Sequence, residues 1–302
     1  MIGSLLAVLS GLAFAVSNVY IRQGVHRAGE SFSVIPISAF LGTVAFGMPL
    51  LISGEIDHLK NLTYTGAAAL AAAGIFHFIL GRIFAYNSFR LIGANRAAPI
   101  LSLNILFATL LGIFFLDEPL SAALGIAILL IFFGLILIGT TGKSEKETKG
   151  IIEGSLIVGI FAGLAAGLCW GISPAFVKIG LKEIKSPLLA TFVSYISAAV
   201  IASILLVFKD NHIKLRGLQR QSFLPLFWGS LAVAVAQLLR YTAINFTSIS
   251  IVTALMGTWT LFIYPLSFFI NRGIEPFTRR VISGAFLTLA GVFLIFALDY
   301  FR

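Results

Sequence analysis

Ten apolar runs, each close to twenty residues long, fill this 302-residue chain almost from end to end. They cover 3–22, 34–53, 64–89, 95–115, 120–140, 154–178, 187–208, 222–245, 249–271 and 279–299, and the connectors between them are short. About 20 mostly apolar residues are what an α-helix needs to cross the ~30 Å hydrocarbon core of a bilayer. In that solvent every backbone N–H and C=O must be satisfied internally. The spacing therefore predicts an all-α integral membrane protein with ten transmembrane helices and no large soluble domain. Composition agrees: the chain is 59% hydrophobic and only 11% charged, against roughly 25% charged in soluble domains. The first run lacks a basic leader and is long for a signal-peptide core, so it is read as a retained span. A single cysteine, Cys169, excludes an internal disulfide framework and a cysteine-rich metal site.

The runs fall into two sets of five that resemble each other at an offset of about 156 residues. Gly11, Phe14, Ala15, Ser17, Arg22 and Gly24 fall on Gly167, Trp170, Gly171, Ser173, Lys178 and Gly180. Tyr86 falls on Tyr241, Gly134 on Gly291, and Glu118-Pro119 on Glu275-Pro276. An odd number of spans per repeat makes the second copy enter from the opposite side of the membrane, the inverted-repeat plan of many secondary transporters. The expected organisation is a first five-helix repeat over 1–142, a polar connector over 143–153 and a second repeat over 154–302. Each Glu-Pro pair is expected to end one helix and open the next, with the acid near a helix N-terminus and the proline at the first helical position.

The segment "CWGISPAFVKIG" (169–180), its weaker copy "FAVSNVYIRQG" (14–24), and the two Glu-Pro elements followed by Gly134 and Gly291 resemble the ten-helix, EamA-type members of the drug/metabolite transporter superfamily. The resemblance covers essentially the whole chain. It implies export or import of small metabolites through a central cavity between the two five-helix bundles, and it leaves the substrate open. One departure is Phe14-Ala15, where the second half has Trp170-Gly171.

Ionisable groups at membrane depth are costly and mark function. Arg82 and His77 lie in the third span and Arg240 in the eighth. Arg82 shares a helix face with Tyr86, and Gln237 shares one with Arg240 and Tyr241. Arg82 aligns with Gln237 across the repeat, so each half sets one arginine and one tyrosine on equivalent helices. A guanidinium is a planar fork of donors suited to carboxylate or phosphate. A lone histidine on an apolar helix is more often a packing residue than a proton carrier, and His77 lies about 140° around a regular helix from Arg82, so the two need not face the same space. Asn104 and Trp259, which correspond across the repeat, and Trp170 could supply the aromatic and polar lining of a small-molecule pocket. Arg22 and Lys178, near span ends, are expected to snorkel to the headgroups. Gly163, Gly167 and Gly171 form a small-residue stripe for close helix contact, and Pro99, Pro174 and Pro265 should bend their spans.

No Asp or Glu falls in the middle of any span. That argues against a proton-coupled exporter of organic cations and favours anionic or zwitterionic organic metabolites, such as amino acids. An enzyme is not expected. There are no paired intramembrane Asp residues, no clustered metal ligands, no Ser-His pair framed by glycine and no phosphate loop, so no cofactor or metal is foreseen. A channel, or a structural or sensory membrane protein, is the alternative. The expected partners are a small-molecule metabolite and the lipid bilayer of the cell membrane. Nucleic acid is not among them, because the basic residues lie between spans. Two fused repeats can complete a carrier, so a monomer is expected. Connectors after odd-numbered spans hold most of the Lys and Arg, which by the positive-inside rule puts both termini outside. The family resemblance implies termini in the cytoplasm. A C-terminal reporter active on one side only decides between them.

Overall fold

The computed structural model describes residues 1–28, 33–92, 94–139, 153–208, 219–263, 266 and 279–300. Among them every regular element is helical, and ten helices follow the ten apolar runs. They are α1 (Ile2–Ala28), α2 (Val34–Ser53), α3 (Tyr64–Ile92), α4 (Arg96–Leu116), α5 (Ala122–Gly139), α6 (Glu153–Ile184), α7 (Pro187–Phe208), α8 (Arg220–Phe246), α9 (Ile249–Ile263) and α10 (Arg279–Tyr300). A short 3₁₀ helix, Glu55–Asn61, joins α2 to α3. Of these helices, α1–α4, α6–α8 and α10 contain stretches long and apolar enough to cross a membrane, and α5 and α9 are shorter apolar helices. The connector over 143–152, the Glu-Pro at 275–276 and Pro265 lie outside the described residues.

The repeat seen in the sequence is a repeat in space, and the two copies interlock. α1 packs on α8 and, as its counterpart, α6 packs on α3; α2 pairs with α7, α4 with α9 and α5 with α10. The equivalent contacts use equivalent atoms. Ser17 Oγ donates to Gly229 O at 2.7 Å between α1 and α8, and Ser173 Oγ donates to Ala73 O at 3.3 Å between α6 and α3. A Cβ at Gly134 would come within 2.6 Å of Gly284 O, and one at Gly291 within 2.6 Å of Ala127 O. Those two glycines let α5 and α10 touch backbone to backbone, the means by which helices associate where lipid offers no hydrophobic drive. The stripe on α6 works likewise, Gly163 facing Ser88 and Ile100, Gly167 and Gly171 facing the backbone around Asn104.

Two helices are broken at matching places. α4 is interrupted by a turn at Ser102–Leu103 and α9 by a turn at Gly257–Thr258. Asn104 and Trp259 open the second segments, and their backbones lie against Gly171 of α6 and Gly11 of α1 respectively.

The first Glu-Pro does something other than expected. α4 ends at Asp117, which sits in the left-handed region at φ 53°, and the Asp117 and Glu118 N–H groups both return to Gly112 O. α5 begins only at Ala122 and is capped by Ser121, so Pro119 precedes the helix instead of opening it. The Glu118 carboxylate reaches across the repeat boundary to α9. Its Oε1 accepts from Ile249 N at 2.6 Å, and its Oε2 accepts from Ser250 N at 3.2 Å and Ser250 Oγ at 2.7 Å. Lys178 does not snorkel. Its Nζ donates to Ile244 O at 2.6 Å and Thr247 O at 3.1 Å, and Glu118 lies close enough to act on it electrostatically. A cation thus meets the carbonyl end of α8 and an anion the amide end of α9, each matching the local helix dipole. Glu118→Ala is expected to lower stability by about 1–3 kcal/mol through the lost cap, with Glu118→Gln intermediate. Thermal melts in detergent followed by circular dichroism check this, and equal midpoints for all three proteins would remove the capping role.

Candidate functional site

The third helix carries the local device that builds the site. Residues 75–80 (Ile75–Leu80) form a π turn, in which the Gly81 N–H reaches back five residues to Phe76 O. Such a turn takes in one extra residue and frees carbonyls from the regular ladder. The His77 carbonyl finds its donor in the Trp170 indole, Nε1 to O at 3.1 Å. Gly81 makes room for that indole, since a Cβ there would collide with it. Trp170 therefore holds the π turn from α6. The extra residue also takes back part of the rotation between His77 and Arg82; the His77 ring meets α8 while the Arg82 guanidinium meets Ser38 of α2. His77 and Arg82 thus meet different neighbours, as the sequence allows, and His77 is a member of a polar group and not an isolated packing residue.

The His77 ring meets α8. Gln237 Nε2 stands 2.6 Å from His77 Nε2, Arg240 Nη1 stands 3.1 Å from His77 Nδ1, and Arg240 Nη1 donates to Gln237 Oε1 at 3.2 Å. Gln237, Arg240 and Tyr241 are all buried, as their shared helix face predicts. A neutral imidazole accepts at one nitrogen only, yet both of its nitrogens face donors. Turning the Gln237 amide over lets His77 Nε2–H donate to Oε1, but then the amide NH₂ faces Arg240. In every arrangement the triad is one acceptor short.

Arg82 extends the group on the other side. It is buried, its Nη1 donates to Ser38 Oγ on α2 at 2.5 Å, and its guanidinium lies 5.6 Å from the centre of the Phe78 ring. The charges of Arg240 and Arg82 both reach His77. Among the described residues neither arginine has a carboxylate partner.

The sequence reading missed Tyr195 on α7. It is fully buried, with its ring 4.3 Å from Phe78 and 5.4 Å from Phe46. Its hydroxyl has no hydrogen-bond partner and lies within electrostatic reach of Arg82 and Tyr241. The Tyr241 hydroxyl, also buried, lies beside Ser194 without a well-formed bond, and Ser194 Oγ donates to Leu70 O at 2.8 Å. Nothing in "VSYISAA" marks Tyr195 as other than core. The usable signal was a tyrosine in mid-span, which must find a partner for its hydroxyl in hydrocarbon.

Tyr86 is half-buried and packs against the apolar cluster of α2, α3, α7 and α8. Two further candidates stand apart from the group. The side chains of Asn104 and Trp259 make no hydrogen bond or ring contact with the group among the described residues; both residues mark the paired helix breaks instead. Trp170 stands at the edge, its ring 6.3 Å from that of His77. Trp170→Phe is expected to leave the His77 carbonyl unsatisfied at a cost of about 1–3 kcal/mol. A circular dichroism melt measures the loss, and an unchanged midpoint would show that the indole does not hold the turn.

A solved structure titled "Crystal structure of protein" superposes with a TM-score of 0.76 at 12% identity, covering 98% of this chain and 96% of that one. At that identity the likeness speaks for the fold alone. No curated protein matches the sequence. The EamA-like transporter family matches it twice, over residues 1–140 and 157–297, one match on each repeat. The chain is a multi-pass membrane protein of two five-helix repeats that belongs to the EamA-like transporter family, within the drug/metabolite transporter superfamily.

Proposed function

We propose that the protein is a secondary carrier that moves small anionic or zwitterionic organic metabolites, amino acids among them, across the cell membrane by alternating access. The observation that carries this reading is the polar group closed between α3, α7 and α8, which holds two buried arginines and, among the described residues, no carboxylate. Buried charge in a membrane protein is expensive and is kept for a pathway or a ligand. A substrate carboxylate supplies what the arginines lack, whereas an organic cation meets repulsion. The interlocked repeats and the paired breaks in α4 and α9 offer places to bend around such a group. His77, Gln237, Arg240, Tyr241, Arg82 and Tyr195 are the proposed substrate-binding residues, with Trp170 supporting His77. A single chain is the proposed working unit.

The test is uptake by purified protein in liposomes. Saturable flux of labelled amino acids or organic acids supports a carrier; flux that rises without saturation points to a channel. Transport of lipophilic cations with none of the acids sinks the proposal.

A further inference from the structure

The hydrogen-bond ledger of the buried group narrows the substrate further, on the footing that this group is the carrier's binding site. Its donors greatly outnumber its acceptors. The His77–Gln237–Arg240 triad is one acceptor short in every tautomer and amide orientation. The Tyr195 hydroxyl is buried without a hydrogen-bond partner, and the Tyr241 hydroxyl has only Ser194 beside it, without a well-formed bond. Arg82 has a neutral hydroxyl, Ser38 Oγ, and the face of Phe78 as its neighbours, and Ser38 Oγ also makes a 3.1 Å bond to Ile35 O. The Phe78 ring joins the two sides, with the Arg82 guanidinium 5.6 Å, the Tyr195 ring 4.3 Å and the His77 ring 5.1 Å from it, and Tyr241 follows Arg240 on α8. The five residues thus form one connected group with two guanidiniums and, among the described residues, no acid.

An amino acid fits this group badly. Its carboxylate would satisfy one guanidinium, but its ammonium would bring three more donors and a positive charge to a place that already has too many of both. An anion with two negative ends, or one doubly charged end, matches it. Each guanidinium takes a planar pair of oxygens, and the phenols donate to the oxygens left over. The structure assigns this group to a small dianion, a dicarboxylate or a phosphate monoester, in preference to a zwitterion. In this conformation Arg240 is only 2% and Tyr195 0% exposed, so the dianion would occupy a closed site that opens to load and release it.

The test uses purified full-length protein in two assays. The first measures binding in detergent as thermal stabilisation by succinate, glycerol 3-phosphate, acetate and serine, each titrated separately. The second measures uptake of the same labelled compounds into liposomes. Succinate or glycerol 3-phosphate is expected to stabilise the protein and to be taken up saturably, and which of the two works identifies carboxylate or phosphoryl as the recognised end. Serine and acetate are expected to bind at least ~10-fold more weakly, since a lost hydrogen bond to a charged group costs about that much or more. Arg82→Gln should weaken dianion binding by roughly 10- to 100-fold and change acetate binding by less than about threefold, converting a dianion site into a monoanion site. That change of preference is a readout that a merely structural arginine would not give. Saturable serine uptake with no response to either dianion overturns the inference and leaves the carrier reading standing. Failure of all four compounds in both assays overturns both, and an equal response of wild type and Arg82→Gln to the dianions removes Arg82 from the site.

Discussion

Arg240→Ala is expected to reduce saturable flux by about 100-fold or more while leaving the protein inserted and at least as stable as the wild type. Two hydrogen bonds from the guanidinium, to His77 Nδ1 and Gln237 Oε1, disappear. So does the charge on which a substrate oxygen would rest. A bidentate pair of bonds from the guanidinium to a substrate anion is worth about 1.5–3 kcal/mol per bond, and losing both amounts to at least two decades in kcat/KM. Stability should move the other way. A buried charge without a partner of opposite sign is a burden on the fold, so its removal costs little and can raise the melting temperature. Lost transport together with unchanged or higher stability is the signature of a binding residue. Unchanged flux would remove Arg240 from the site, and a large loss of stability would assign it to the fold instead.

The second large effect is expected at Gly74. A side chain there would run into the backbone of α7, where its Cβ would collide with Ser194 O and lie 2.7 Å from Ser194 C. The obstacle is main chain, which cannot rotate away, so Gly74→Val must push α3 and α7 apart. Overpacking of this kind costs about 1–3 kcal/mol, at times more, and the upper end applies where backbone opposes backbone. Two site residues lie beside the contact, His77 three residues along α3 and Tyr195 next to Ser194, so the same displacement spreads the polar group. The single thiol gives a convenient readout, since Cys169 is buried on α6 and becomes reactive only when the bundle opens. A thiol-reactive dye should report unfolding at a clearly lower temperature for Gly74→Val, with Gly74→Ala between it and the wild type. If the valine variant unfolds with the wild type, α3 and α7 do not meet at this glycine.

The helices were legible because hydrocarbon allows few alternatives. A run of twenty apolar residues has to be a helix, and the duplicated glycines fell where backbones touch. The candidate site was half legible. Gln237, Arg240 and Tyr241 lie on a regular helix, where counting by threes and fours is correct, and they were placed together. His77 and Arg82 lie in and just past a π turn, and no residue pattern announces the extra residue that changes the angle between them. The assumed symmetry also failed at the side chains. Arg240 has Ala85 as its counterpart and Gln237 has Arg82, so the two repeats share a backbone plan but not a site. From sequence Glu118 is only a local helix break, because its partner, the amide end of α9, lies more than a hundred residues away.

The crossed pairing of helices has a consequence for how the molecule is made. α1 has its main packing partner in α8, α2 in α7 and α5 in α10, so the first five helices enter the bilayer without the surfaces they are shaped to meet. Until the later helices emerge from the ribosome, the glycine notch of α5 and the serine of α1 face lipid or the insertion machinery. The first half is therefore not a folding unit that waits for a second. The native packing can close only once α10 has been made, and a chain stopped between the repeats would leave the membrane holding an open half.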